Sequence, residues 1–382
     1  MKGRNDRRFR RHIQMQRARL KDIAEKVGCS IAVVSHVVNN SSGNITCRQE
    51  LRERILRTAQ DLDYAPHYAS RALKSQRSFT IGVYIPPREG TSMGYAYESA
   101  IFMGIERICR EKSYDLLVIS TGQGSQDVEC ANKLNARRVD GLILLHVEEH
   151  SEWVFPLAAR NRNVVAVNYY GAAELDAINF DDTAAGAMAA AELHKLGHRR
   201  IAYAGPMYPD AGRGAETRLA GFLAKCRELG IATPPEIVFD ETIPGSLPLP
   251  RGSAVEPEIA ERVGAAIRAI PPKARPTAIV GYSDYCAMLV MRSMQRAGTV
   301  FPDQMSVVGI DDSNICTCVA PQLSSVQQPL VGMGEEAARY IILQAEKRMA
   351  VGNGDFAKEE RWLRHAQPKF IARESAIRLA PR

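Results

Sequence analysis

The sequence predicts a two-part molecule: a small all-α head carrying a helix-turn-helix, then an α/β body of two subdomains, each a doubly wound parallel sheet. The first observation behind this is residues 20–39, LKDIAEKVGCSIAVVSHVVN, where two short helical repeats flank a glycine. The second is charge. Residues 1–78 hold 17 Lys and Arg against 7 Asp and Glu, while the remainder holds 33 against 36, so a head of net +10 precedes a body of net −3. Such a split is the footprint of a nucleic-acid reader joined to something else. The third is the change of texture after Phe79, where apolar β-type runs alternate with helical patterns, as in parallel sheets covered by helices.

In the head, Leu20, Ile23, Ala24 and Val27 share one helical face, Gly28 supplies a turn, and Ser30 stands where an N-cap belongs. Val34, Val37 and Val38 give the second helix an apolar side. Two helices across a Gly-containing turn, the second showing short polar residues at its start, is the layout in which that second helix enters a DNA major groove. The first helix has Arg19 at its cap position. Losing a hydroxyl or carboxylate cap costs about 1 kcal/mol, partly offset by Asp22 near the helix's positive end. Residues 46–49 have capping-box form, Thr46 at N-cap and Gln49 at N3, and open a third helix whose Leu51, Ile55, Leu56, Ala59 and Leu62 close the small core. Pro66 starts a further short helical pattern over residues 67–74, and residues 75–78 form a polar connector.

In the body the strand-like runs are residues 80–85, 115–120, 141–146, 164–168, 200–204, 277–280 and 306–310. Helical patterns cover 98–112, 185–196, 217–229, 256–269 and 285–297. These are too many units for one sheet, hence two subdomains, with a ligand site expected between them at the carboxyl ends of the strands.

Several classes are excluded. No apolar run approaches the length of a bilayer span, and the arginine-dense N-terminus lacks the apolar core of an export signal, so a cytoplasmic protein with no membrane partner is expected. The eight cysteines are scattered and read as reduced thiols. An enzyme is not expected: residues 122–127 lack the third glycine of a dinucleotide fingerprint, His194 and His198 lie in a glycine turn, and Cys316 and Cys318 have no partner pair at zinc spacing. The expectation is therefore no metal and no cofactor.

Further motifs stand in order along the chain: RERILRTAQDLDYAPHYASRALKS and TIGV after the head, then RVDGLIL, FDDTAAG, LHKLGHRRIAYAGP, RLAGF, SDYCA, SVVGIDD, LSSVQQP and FIARES. With residues 20–39 they make the chain resemble the lactose-repressor (LacI/GalR) family of bacterial transcription factors from about Leu20 to Arg373. The resemblance implies a periplasmic-binding-protein-like body and these domains: 1–17, a basic extension; 18–65, a helix-turn-helix DNA-binding domain; 66–78, a hinge helix and linker; 79–382, an effector-binding and dimerisation domain of two subdomains. Met15 is a second candidate start. The resemblance also implies a homodimer on a palindromic double-stranded operator, with a small-molecule effector, a sugar or related metabolite, between the body subdomains. Past Arg373 no leucine heptads follow to join dimers into tetramers.

Carried over position by position, the resemblance puts Ser30, Ile31, Ala32, Ser35, His36 and Asn39 on the DNA-facing helix. The family commonly has Arg where His36 stands. An imidazole offers one hydrogen bond where arginine offers guanine two, so a different operator is expected. In the hinge, Leu73 matches the family's minor-groove wedge, with His67, Tyr68, Arg71 and Lys74 placed for backbone or groove contact. On the effector side the matching positions are Tyr95, Tyr97, Asn168, Asp181, Arg218, Ser283, Asp284 and Asp311. Asn168 stands where many relatives have Asp and Ser283 where many have Asn, which shifts hydrogen-bonding capacity there. An Arg in such a site suits carboxylate, phosphate or a purine as well as a sugar. For Asp284 and Asp312, a strand-end or capping role stands beside ligand contact. A repressor released by its effector, a corepressor-dependent repressor, an activator, and a solute-binding protein of the same body fold all remain open. The basic head and the missing export signal count against the last.

Overall fold

The computed structural model describes residues 18–38, 46–64, 77–85, 96–119, 126–145, 147, 153–160, 163–170, 175–206, 212–240, 242, 256–351 and 361–379. They fall into two compact units that divide between Ser78 and Phe79.

In the first unit, α1 (Leu20–Val27), α2 (Ile31–Val38) and α3 (Gln49–Asp61) close on a core of Ile23, Ala24, Val27, Val34, Val37, Ile55 and Ala59. Gly28 ends α1 with φ +71°, a left-handed conformation in which a β-carbon is strained. Its N–H and that of Cys29 both return to the Ala24 carbonyl, at 2.9 and 3.1 Å. The chain leaves this turn at Ser30, whose Oγ accepts the Val33 N–H at 3.3 Å and caps α2. Four valines make α2 a poor helix by propensity, so it depends on burying Val34 and Val37. At the start of α1 the Asp22 carboxylate accepts the Arg19 N–H at 2.7 Å, which supplies half of a capping box.

Two expectations fail in this unit. Helix α3 begins at Gln49 with Arg48 at the cap and no capping side chain, so Thr46 and Gln49 form no capping box. Gln49 instead donates from Nε2 to Glu53 one turn on, at 2.9 Å. Leu56 is 44% exposed rather than core, because it sits about 100° round the helix from Ile55, outside the buried stripe. The Arg54 guanidinium donates to the Val27 carbonyl, so α3 satisfies the C-terminal end of α1.

The second unit runs β1 (Thr80–Tyr84), α4 (Ala96–Glu111), β2 (Asp115–Ile119), α5 (Gln126–Asn135), β3 (Gly141–Leu145), α6 (Val154–Arg160), β4 (Val164–Val167) and β5 (Asp176–Phe180). There follow α7 (Asp182–Lys195), β6 (Ile201–Ala204), α8 (Gly212–Glu228), β7 (Val238–Phe239), α9 (Glu256–Ala269), β8 (Ala278–Gly281), α10 (Asp284–Arg296), β9 (Ser306–Asp311), α11 (Ile315–Cys318) and β10 (Ser324–Gln327). Last come α12 (Leu330–Val351), β11 (Leu363–Ala366) and β12 (Lys369–Ile371). One six-stranded sheet has the order β11-β5-β4-β3-β1-β2, the other β12-β10-β9-β8-β6-β7. Every pairing is parallel except β10 with β12.

The alternation of side chains shows why both faces of a sheet are covered. In β3, Ile143 and Leu145 join one core while Leu142 and Leu144 join another; in β4, Val165 and Val167 divide from Val164 and Ala166 in the same way. The chain crosses between the sheets three times: from β5 into α7, from β10 into α12, and from β11 into β12. Helix α12 packs on α4 and on β3, β4 and β5, whereas α7 packs on α8 and on β8, β10 and β12. Both helix pairs cross where glycine removes the side chain. A β-carbon on Gly186 of α7 would lie 1.9 Å from the Arg218 carbonyl oxygen, and one on Gly221 of α8 would lie 2.1 Å from that of Thr183. Gly104 and Gly334 do the same for α4 and α12.

Candidate functional site

In the head, burial divides α2 into two faces. Val34 and Val37 point into the core, Ser30, Ile31 and Ala32 are exposed, and Ser35 and His36 are half-buried at the margin. Ile31 keeps 49% of its surface in solvent although it opens a helix that depends on apolar burial. Asn39 and the hinge positions His67, Tyr68, Arg71, Leu73 and Lys74 lie outside the described residues, as does Tyr95.

In the body, the other seven effector positions all stand at carboxyl ends of strands or at starts of helices, apart from Arg218, which reaches the same region from α8. Asn168 follows β4 with φ +56°, a conformation asparagine tolerates better than most residues. Its Oδ1 accepts the Phe180 N–H at 2.8 Å, and its Nδ2 donates to the Tyr97 hydroxyl, so one amide ties β4, β5 and α4 together. Burial, with the Asp182 and Asp311 charges adding to it, pushes the Tyr97 phenol well above its ordinary pKa.

The centre is an ion pair that sequence reasoning missed. Arg218 donates from Nε at 2.8 Å and from Nη2 at 2.5 Å to the Asp182 carboxylate. Both side chains are almost wholly buried, 6% and 4% exposed. The other Asp182 oxygen accepts the Tyr170 hydroxyl at 2.5 Å. Arg218 also donates from Nη1 to the Tyr282 carbonyl at 2.5 Å, and its guanidinium carbon lies 4.7 Å over the Tyr282 ring centroid. Burial opposes its charge, but Asp182 first, then Tyr282 and Asp311, outweigh that and hold the guanidinium protonated. Asp311 Oδ1 is 3.9 Å from Nη1, with its side chain 15% exposed. Desolvation raises the Asp311 pKa well above the carboxylate range, and Asp284, Asp182 and Glu98 raise it further against the pull of Arg218.

The remaining positions have structural partners. Asp181 caps α7, accepting the Ala184 N–H at 2.9 Å. Its own N–H bonds the Ala366 carbonyl at 3.0 Å, which joins two of the three crossovers. Ser283 caps α10 through the Cys286 N–H at 3.2 Å. Asp284 is buried and accepts the Ser325 hydroxyl and the Ser313 N–H, both at 2.6 Å. Asp312 receives Arg373 Nη2 at 2.5 Å and Gln327 Nε2 at 2.9 Å. The structure thus brings Tyr97, Asn168, Arg218 and Asp311 together with Asp182, Tyr170 and Tyr282, and sets Asp181, Ser283 and Asp284 as the clamps around them. Among the described residues no group of three His, Cys, Asp or Glu could hold a metal ion.

Residues 19–67 match the family described as bacterial regulatory proteins, lacI family, and residues 190–375 match the periplasmic binding protein-like domain. The chain belongs to the LacI family. This LacI-family chain is 25% identical over 327 residues to the ribose operon repressor of Haemophilus influenzae, covering 85% of itself and 91% of that protein. It is 28% identical over 324 residues to catabolite control protein A of Streptococcus mutans, covering 84% and 89%. Its fold matches the lac repressor dimer bound to operator and the anti-inducer ONPF with a TM-score of 0.74 at 21% identity, over 95% of this chain and all of the other. The ion pair of Asp182 with Arg218 was detectable only in part. The Asp-Asp step after β5 marks a helix start, but its partner lies 36 residues on and arrives through the glycine crossing of α7 with α8.

Proposed function

We propose that this chain is a transcriptional repressor, acting as a homodimer in the cytoplasm on a palindromic operator, whose affinity is set by a small-molecule effector bound between the body subdomains. The observation that carries the effector half is the buried Arg218–Asp182 pair with Asp311, Tyr282, Tyr97 and Asn168 at the strand ends. In an open α/β sheet this is where ligands bind. Relatives named as repressors support the reading, and no catalytic step belongs to it.

In the head, Ser30 and Ser35 fix register on phosphates, while Ile31, Ala32, His36 and Asn39 face base edges. Ile31, left exposed, suits a thymine methyl. The segment of His67, Tyr68, Arg71, Leu73 and Lys74 orders on the operator, with Leu73 wedging the minor groove. In the body, Tyr97, Asn168, Arg218 and Asp311 touch the effector together with Tyr95, and Asp181, Ser283 and Asp284 fix the elements that carry them. Effector binding closes or opens the subdomains about the three crossovers, of which the β5–α7 and β11–β12 links are already joined at Asp181 and Ala366. That changes the order of the hinge segment and couples the two sites.

The reading is tested by genomic footprinting with the tagged protein, followed by operator binding with the metabolites of the genes found. Protection of palindromic sites and a metabolite-dependent change in affinity support it. Protection with no response to any of those metabolites removes the effector half.

A further inference from the structure

Three of the five Arg218 N–H groups are engaged, and its charge is already paired with Asp182. Nε and Nη2 bind Asp182, Nη1 binds the Tyr282 carbonyl, and the flat face covers the Tyr282 ring. An incoming carboxylate or phosphate would have to displace a buried carboxylate from a bonded partner. Beside Arg218 stand Asp182 of α7 and Asp311 at the end of β9, and the charges of Asp284 of α10 and Glu98 of α4 bear on Asp311 in turn, which makes four carboxyl groups from four elements. All but Asp311 are at least 95% buried. Asp284 is held by hydroxyl and amide hydrogen bonds, with no salt bridge among the described residues, and Arg373 is spent on Asp312. Burial above all, and then these like charges, raise the Asp311 pKa well above the carboxylate range. A second feature points to a ligand independently. The Tyr203 hydroxyl is wholly buried, feels the charges of Arg218, Tyr282 and Asp240, and has no hydrogen-bond partner among the described residues. Leaving a buried hydroxyl so costs roughly 1–3 kcal/mol, which a polar ligand group would recover.

We infer that the effector carries a positively charged nitrogen, as an amino sugar or an aminated polyol does, and is neither a carboxylate nor a phosphate ester. The inference rests on the proposed effector role of this site. An ammonium group stabilises the ionised form of Asp311, whose proton passes to solvent, and so meets carboxylate in a desolvated setting, with the tyrosine rings as further acceptors of cation contact. An anion meets like charge beside a guanidinium already paired with Asp182.

The test is calorimetric titration of the full-length protein with matched sets: glucosamine, glucose and glucose 6-phosphate, and the same three forms of the galacto, manno and ribo skeletons. The expected result is one skeleton whose aminated form binds at least tenfold tighter than its neutral parent, with the phosphate weakest. That advantage falls at least tenfold in Glu98→Gln and in Asp311→Asn, each first checked for folding by its melting curve. Tightest binding by a phosphate, or equal binding of amine and parent, overturns the inference and leaves the site's effector role standing. Binding that neither variant alters places the ligand elsewhere and rejects the effector role with the inference; binding by none of these compounds overturns the inference alone.

Discussion

His36 stands where the family's arginine would, and it sits half-buried on the margin of the exposed face of α2. Under the proposed reading, His36→Ala relaxes discrimination at one operator position while non-specific binding hardly changes. Competition binding against single-base operator variants checks this, and a uniform loss over all variants speaks for phosphate contact instead. Arg218 gives a second prediction at this scale. Arg218→Ala leaves Asp182 buried with the Tyr170 hydroxyl as its remaining side-chain hydrogen bond among the described residues, and losing one partner of a buried pair costs about 3–5 kcal/mol. Urea denaturation should show that loss, and the effector response should vanish with it. His36 and Asp182 also differ in how legible they were. His36 is placed by local spacing alone, since a glycine turn and a serine cap fix the start of α2. Asp182 is placed by its contact with a residue far along the chain, which no local pattern announces.

The helices and strands follow the same logic. Residues 256–269 read as a helix and form one with those bounds, because Ile259, Ala260, Val263 and Ile267 repeat at helical spacing on a buried face. Strand β5 went unread because two of its five residues are polar, and their burial is satisfied from elsewhere. Asp176 accepts the Tyr340 hydroxyl at 2.7 Å and the Trp362 N–H at 2.8 Å, and Asn179 bonds both backbone groups of Tyr169. Strand β11 is mostly exposed, so it carries no apolar alternation. Helix α12 does have a buried stripe, Met333, Ala337, Ala338, Ile341, Ile342 and Ala345, but Gly332 and Gly334 at its start read as breakers. Gly332 and Gly221 make a controlled comparison. A β-carbon at Gly332 meets nothing within 4 Å, so Gly332→Ala should stabilise by about 0.5–1 kcal/mol. Gly221→Ala, against the Thr183 carbonyl, should destabilise by about 1–3 kcal/mol and loosen the Asp182–Arg218 pair. Denaturation midpoints of both variants decide this. His198 belongs at this scale too, since its ring joins Thr277 Oγ1 at 2.9 Å to the Ile377 carbonyl at 3.2 Å and so ties the C-terminal tail to the second sheet. Burial lowers its pKa from 6.5 to about 4. Above pH 6.5 it is neutral folded or unfolded; below that the unfolded chain takes up the proton first. Stability should therefore fall as pH drops from 6.5 toward 4, by about 1.4 kcal/mol per unit at most, and His198→Gln should flatten that slope.

Over the whole molecule, the division into a head and a two-sheet body follows from charge and texture, and the structure divides at Ser78 and Phe79. A net +10 head makes operator affinity depend on salt, with log affinity falling linearly in log salt. The central claim is that one chain both reads a DNA sequence and senses a metabolite. The most direct measurement is the affinity of the purified full-length protein for its footprinted genomic site against random duplex at fixed salt, with and without the effector. The account predicts a preference of at least about a thousandfold for the genomic site, changed by the effector. Equal affinity for genomic and random DNA, whatever metabolite is present, would contradict it.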